Sequence, residues 1–247
     1  DRMVSTLGAD PRCSRFIGLS TSDRLHARQL QGHRAWITRE AQDLDANDVS
    51  VYEDLGVDCI QVGEPNSKNQ ALLNRLRDTP LPVIHKRGNS LDIEAYLLWV
   101  ERVMSGGKEN VILCERGIVS PNKYTRNTLD LGGIAAFHYQ LSCLPVAVDA
   151  SHGTGLRDLV HPMTLAGIMA GASVVLVEVH PNPLIAKSDG FQGLFPEQLS
   201  RLLTACEQVW ELRQRLEPLY IQSALLEREY EGRVAAAMPL YLKTHSQ

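Results

Sequence analysis

Paired cysteines are absent from this sequence. Its five, Cys13, Cys59, Cys114, Cys143 and Cys206, include no CxxC spacing, and an odd number argues against a disulfide framework. A reducing compartment is expected, with Cys59, Cys114 and Cys143, which stand beside apolar segments, read as small buried hydrophobes. Long hydrophobic runs are also missing: stretches such as Val174 to Val177 are far shorter than the roughly 20 residues of a membrane span. No signal-peptide pattern opens the chain, so a cytoplasmic protein without membrane partners is expected. Positive charge is not in excess, since the formal net charge is −4 and Lys and Arg are scattered, which removes the footprint of a nucleic-acid binder. Neither GxGxxG nor GxxxxGK(S/T) occurs, and no Pro/Ser/Gly-rich linker divides the middle of the chain.

What is present is a globular composition, 247 residues of which 44% are hydrophobic and 22% charged, enough to bury one large core. Short β-branched runs recur, each followed by a polar turn and a longer segment of helical periodicity. The runs are Phe16 to Leu19, Ala35 to Thr38, Cys59 to Val62, Val83 to Lys86, Val111 to Cys114, Val146 to Asp149 and Val174 to Val179, and the helices include Ser90 to Ser105, Leu156 to Ala170 and Pro196 to Leu216. Apolar strands alternating with helices imply a parallel sheet covered on its outer face, in a doubly wound fold or a (β/α)8 barrel. The absent Gly-rich phosphate loop favours the TIM-type barrel over residues 1–216. Only about fifteen residues separate Leu19 from Ala35, so an eighth strand is hard to place and the barrel is expected to be incomplete or modified near its second strand. An opened wall with an exposed strand edge would follow, and with it a homo-oligomer that covers the edge. Residues 217–247, with Leu219, Ala224, Leu225, Val234 and Leu240 at helical spacing, are expected to form a C-terminal helical extension.

Barrel chemistry sits where strands end. Just past successive runs stand Lys86-Arg87-Gly88, Glu115-Arg116-Gly117, Asp149-Ala150-Ser151-His152 and Glu178-Val179-His180-Pro181, with Ser188-Asp189-Gly190 in the loop beyond. A lone Lys or Arg at a strand end is more often a solvated rim residue, but four successive exits bearing charged or imidazole groups point to a site. His152, Glu178 and Asp189 offer one imidazole nitrogen and two carboxylates, a set suited to Mn²⁺, Fe²⁺, Co²⁺ or Zn²⁺ rather than to an all-oxygen Ca²⁺ cage. Lys86 and Arg116 supply the positive charge that holds a phosphate or carboxylate, so small phosphorylated substrates are the expected partners.

At the same residues the sequence resembles a known family. Pro82 to Gly88 (PVIHKRG), Asn110 to Gly117 (NVILCERG), Tyr124 to Leu131 (YTRNTLDL), Asp149 to His152 with Gly155 to Val160 (DASH, GLRDLV), and Val177 to Pro183 with Ser188 to Gly190 (VEVHPNP, SDG) are similar to stretches of the class I 3-deoxy-heptulosonate phosphate (DAHP) synthases. The likeness runs from about Ala35 to Trp210 and is nearest the subgroup that shares ancestry with the 3-deoxy-octulosonate phosphate synthases. It implies a barrel enzyme that condenses phosphoenolpyruvate with erythrose 4-phosphate and releases phosphate, at the entry to aromatic amino-acid biosynthesis. By position it makes His152, Glu178 and Asp189 metal ligands, and Lys86 and Arg116 groups that bind phosphoenolpyruvate. Arg87, Glu115 and Arg126, in the same matching stretches, become further substrate-binding candidates, and His180 becomes a catalytic candidate touching substrate or bound water. The plainer role for His180 is a ring packed against Pro181.

Three departures accompany the resemblance. The family's metal-ligating cysteine at the end of the first strand is replaced by Thr21, with Cys13 as a distant substitute, and the strand carrying the family's KPRTS loop has no counterpart between Thr21 and Arg34. Gly63 to Asn66 reads GEPN where the family has GARN, so a phosphate-binding arginine is lost and the acid Glu64 is present. The alternatives to a working synthase are therefore a catalytically impaired homologue with a regulatory or interaction role, and a specialised synthase using another phosphorylated substrate.

Overall fold

The computed structural model describes residues 16–20, 34–41, 45–55, 57–186 and 188–245, with side chains excluded for 16–20, 34–41 and 234–245. Seven strands form one all-parallel sheet paired in chain order: β1 (Phe16–Ser20), β2 (Arg34–Ala41), β3 (Cys59–Val62), β4 (Val83–Lys86), β5 (Val111–Glu115), β6 (Val146–Asp149) and β7 (Val174–Glu178). The sheet curls until β7 pairs with β1, Val175 opposite Ile17 and Glu178 opposite Ser20, making a closed ring. β3 to β6 are buried along their whole length, as expected for strands covered on both faces.

Two expectations need correction. The expected opened wall is not found among the described strands: β1 pairs directly with β2, Ile17 opposite Ala35, so each described strand has a neighbour on both sides, while the stretch between Thr21 and Arg34 lies outside the described residues. Among the described strands there is no exposed edge of the kind from which an oligomer was expected. Cys143, expected to be buried, is exposed, because it lies in the turn that precedes β6 rather than on the strand; Cys59 and Cys114 are buried as expected.

Register explains how the site is aimed. Side chains alternate across a strand, and Ile84 pairs with Ile112, Cys114 with Ala147 and Ala147 with Val174. These residues, with Cys59 and Leu176, form the inward apolar cluster. Two residues further along the same inward faces stand Lys86 on β4, Asp149 on β6 and Glu178 on β7, with Arg116 one residue beyond the end of β5. The inner face thus changes from apolar to charged at the C-terminal ends of its strands.

Helices α1 (Val49–Asp54), α2 (Gln70–Arg77), α3 (Ile93–Met104), α4 (Leu131–Ala136), α5 (Ala150–Thr154), α6 (Arg157–Ala170) and α7 (Pro196–His245) follow the strands. Asn69 and Asp92 cap α2 and α3 by accepting from the amides of Leu72 and Ala95. α3 buries Tyr96, Val100 and Val103, spaced four and three residues apart, and the Tyr96 hydroxyl donates to the carbonyl of His85 at 2.6 Å while accepting from the amide of Cys114 at 3.1 Å. One phenol therefore joins the ends of β4 and β5, the two strands that deliver Lys86 and Arg116. α6 approaches β6 closely at Gly167, where a Cβ would lie 2.6 Å from a methyl of Val148.

The chain divides into two compact units, 1–207 and 208–247. The described residues of the second lie within α7, which continues past residue 217 as helix. In it the Arg213 guanidinium stacks 4.2 Å over the Trp210 ring. No helix among the described residues is long and apolar enough to cross a membrane.

Candidate active site and metal centre

β6 ends on Asp149, and the chain turns at once into the short helix α5, whose N-terminus that carboxylate caps: Asp149 Oδ1 accepts from the His152 amide at 3.0 Å. Its second oxygen, Oδ2, lies 2.8 Å from His152 Nδ1 and 3.2 Å from Lys86 Nζ. A carboxylate accepts but does not donate, so Nδ1 carries the hydrogen and the neutral ring presents its Nε2 lone pair on the opposite edge. Nε2 lies 3.8 Å from Glu178 Oε1 and 3.8 Å from Asp189 Oδ2. The three ligand atoms are all within 4.8 Å of one another. The three predicted ligand atoms are therefore brought together.

Burial by itself would raise the Asp149 pKa, but the charges of His152 and Lys86 and the hydrogen bonds from His152 outweigh it and hold the carboxylate well below its usual range. Burial likewise opposes the His152 imidazolium, and the charge and hydrogen bond of Asp149 reverse the balance to a net upward shift. The buried centre is thus a coupled Lys86–Asp149–His152 chain in which a metal ion would compete with the proton on Nε2.

The remaining sequence candidates separate into two groups. Arg116 is buried, and its Nε has no hydrogen-bond partner among the described residues, so it is a cation with a donor to offer an incoming anion. Arg87, by contrast, is engaged by the protein: Nη1 donates to Glu115 Oε2 and Asp130 Oδ2, both at 2.9 Å, and Nε to the Leu91 carbonyl. Glu115 Oε1 accepts from the Gly117 amide at 2.7 Å, a contact made where Gly117 adopts a left-handed φ of 95°. Burial pushes the Glu115 pKa up, partly offset by Arg87. Arg87 and Glu115 form a buried clamp that fixes the loops after β4 and β5.

Asp189 is delivered by a loop rather than by a strand, and it too adopts a left-handed φ, 55°. Arg157, the first residue of α6, holds that loop by donating to the carbonyls of Gly190 and Gly193 while its guanidinium lies 4.9 Å over Phe195. Arg126 Nη1 donates to Asp189 Oδ1 at 2.9 Å and to Gln192 Oε1 at 3.3 Å, so this substrate-binding candidate also orients a candidate metal ligand. His180 is half-buried beyond β7, its Nδ1 accepting from the Asn182 amide at 3.0 Å, and it stands outside the three-ligand group. Glu64 follows β3 in a single 3-10 turn, Glu64–Asn66. Thr21, which stands at the place of the family's cysteine, and Cys13, weighed as its substitute, lie outside the described residues.

Asp149, Asn127 and Arg157 stand in the motifs read from the sequence, but that reading gave them no role. Asp149 carried a legible signal, a carboxylate ending an otherwise apolar strand three residues before a histidine. Asn127 donates to the His152 carbonyl at 3.0 Å across 25 residues, a separation no local pattern reveals.

Known proteins resemble this chain in sequence and in fold. Residues 31–217 match the DAHP synthetase I family. A phospho-2-dehydro-3-deoxyheptonate aldolase of Thermotoga maritima is 41% identical over 167 residues, covering 68% of this chain and 48% of the relative. A 2-dehydro-3-deoxyphosphooctonate aldolase of Janthinobacterium sp. (strain Marseille) is 26% identical over 178 residues, covering 68% of this chain and 63% of the relative. A solved structure of a truncated form of 3-deoxy-D-arabino-heptulosonate 7-phosphate synthase from Thermotoga maritima matches with a TM-score of 0.65 at 38% identity, over 75% of this chain and 67% of that one. The chain spans about half the length of the Thermotoga relative and under two thirds of the Janthinobacterium one. With the family matched over most of its length, the chain belongs to the DAHP synthetase I family.

Proposed function

We propose that this chain catalyses a DAHP synthase-type aldol condensation of phosphoenolpyruvate with erythrose 4-phosphate, on a divalent ion held by His152, Glu178 and Asp189. The observation that carries the reading is the convergence of these three ligand atoms, beside a buried Lys86 and a buried Arg116, at the C-terminal ends of a parallel ring of strands. The relatives that match over most of this chain are named for aldol reactions of this kind. In our reading the fold is the family's eight-stranded barrel with its second strand removed and its neighbours joined.

The donor set, one imidazole and two carboxylates, fits a first-row divalent ion. A bound Mn²⁺, Fe²⁺, Co²⁺ or Zn²⁺ would supply Lewis acidity to the aldehyde oxygen. Asp149 keeps the His152 ring in the tautomer that leaves Nε2 free. Lys86 and Arg116 bind and orient the anionic groups of phosphoenolpyruvate, so that its C3 faces the aldehyde carbon. Carbon–carbon bond formation is then accompanied by addition of water at C2 and departure of phosphate. Arg126 and Arg157 keep Asp189 aimed at the centre from the loop side.

The test is phosphate release from phosphoenolpyruvate and erythrose 4-phosphate, with Mn²⁺ and with a chelator. The reading expects release that needs both substrates and disappears on chelation and in His152→Ala. No release above blank in the presence of Mn²⁺, or release that does not depend on the aldehyde, would overturn it.

A further inference from the structure

The helix of the second unit carries an apolar stripe that the barrel chemistry does not use. Val209, Leu212, Leu216, Leu219, Ser223, Leu226, Tyr230 and Arg233 follow one another at alternating spacings of three and four, the repeat of a coiled-coil seam. Six of the eight are apolar, and four of those, Leu212, Leu219, Leu226 and Tyr230, are exposed, the last two by 60% and 68%. Pro218 falls outside the stripe, and Ile221 and Leu225 lie on the opposite side of the helix.

Charges flanking the stripe choose its occupant. Arg215 borders it near the start and Glu229, on the same flank, near the end, and both are exposed. Two copies of the helix laid antiparallel, crossing near residue 221, set Arg215 against the partner's Glu229 and repeat that pair by symmetry. The same register stacks Leu216 on the partner's Leu226, Leu219 on the partner's Ser223 and Leu212 on the partner's Tyr230. A parallel pairing offers no opposite-charge pair along these flanks and sets Arg233 against its own copy within the seam. Glu229 already pairs with Arg233 at 2.6 Å on its own helix, but that contact is exposed on both sides and is readily exchanged.

We propose that residues 209–233 form a dimerisation helix that pairs antiparallel with a second copy of this chain. The inference is independent of the proposed reaction. Single variants Leu219→Cys and Ser223→Cys of the full chain, oxidised separately and after mixing, test it against the parent chain as blank. The antiparallel register predicts a crosslinked dimer from the mixture and not from either variant alone. Crosslinking by each variant alone, which a parallel pair would give, or none in any sample, would overturn it. By sedimentation, the parent should dimerise and Leu219→Asp with Leu226→Asp should not, with Mn²⁺ binding unchanged. Arg215→Glu should weaken the dimer roughly tenfold, and adding Glu229→Arg should restore it. A parent that is monomeric at all concentrations, or an aspartate variant that dimerises equally well, contradicts the proposal.

Discussion

Replacing Asp149 by asparagine separates the two roles assigned to that carboxylate. Both of its oxygens face donors, Oδ1 the His152 amide at 3.0 Å and Oδ2 the His152 Nδ1 at 2.8 Å and Lys86 Nζ at 3.2 Å. An asparagine must turn its NH₂ toward one of these sets. If the NH₂ faces Nδ1, the ring has to accept there and carry its hydrogen on Nε2, the atom needed by the metal. If it faces the backbone amide, the cap of α5 is lost and the helix that positions His152 is loosened. Removal of such an orienting partner typically weakens metal binding about 10–100-fold. The second effect is on stability, because Lys86 is buried and loses its carboxylate. Breaking a buried charge pair from one side costs about 3–5 kcal/mol. Calorimetric titration with Mn²⁺ and urea unfolding read the two effects independently. Asp149→Asn should bind Mn²⁺ at least tenfold more weakly and unfold at distinctly lower urea. Parental Mn²⁺ affinity in a folded Asp149→Asn protein would refute the tautomer argument, and parental stability would refute the buried-pair argument.

On the sequence reading that the KPRTS cations and the GARN arginine have no counterpart, phosphoenolpyruvate should bind weakly, since each charge-assisted hydrogen bond is worth about 1.5–3 kcal/mol. Restoring the family tetrapeptide with Glu64→Ala and Pro65→Arg should tighten binding at least tenfold by calorimetry, and micromolar affinity in the unmodified chain would contradict the reasoning. Arg87→Met should destabilise the protein by about 3–5 kcal/mol, since Glu115 would be left buried without its cation, and the loss should shrink when Glu115→Leu is added. His85 provides a pH signature. Burial lowers its pKa from 6.5 to about 4, so the unfolded chain takes up a proton that the folded one resists. Its contribution is complete above pH 6.5 and is lost as pH falls through that window to about 4, up to roughly 3 kcal/mol in all. Urea midpoints of His85→Gln should fall less steeply than the parent's between those values, and parallel slopes would contradict the assignment.

Much of this architecture was legible because its signals are local. The strand runs at Cys59, Val83 and Val146 match the observed strands at both ends, since fully buried parallel strands leave uninterrupted β-branched runs. The convergence of His152, Glu178 and Asp189 was legible because each follows the end of a run or lies in a family-like loop. Closure of the ring was not, because the pairing of Ile17 with Ala35 depends on a contact between strands that no spacing encodes. The division of the cations was equally hidden. Lys86 and Arg87 are neighbours at one strand exit, yet alternation sends Lys86 inward to Asp149, while Arg87 reaches Glu115 and Asp130, 28 and 43 residues away. The role of Gly117 as amide donor to Glu115 depends on a left-handed φ that the tripeptide Glu-Arg-Gly only hints at.

The proposed catalysis depends on a divalent ion standing among His152, Glu178 and Asp189, and anomalous diffraction from crystals grown with Mn²⁺ reads this directly. The account predicts an anomalous peak about 2.0–2.4 Å from His152 Nε2 and from one carboxylate oxygen each of Glu178 and Asp189, with Nδ1 of the same ring still on Asp149. Density without a peak between these three side chains, or a peak held by other residues while they point apart, would contradict it.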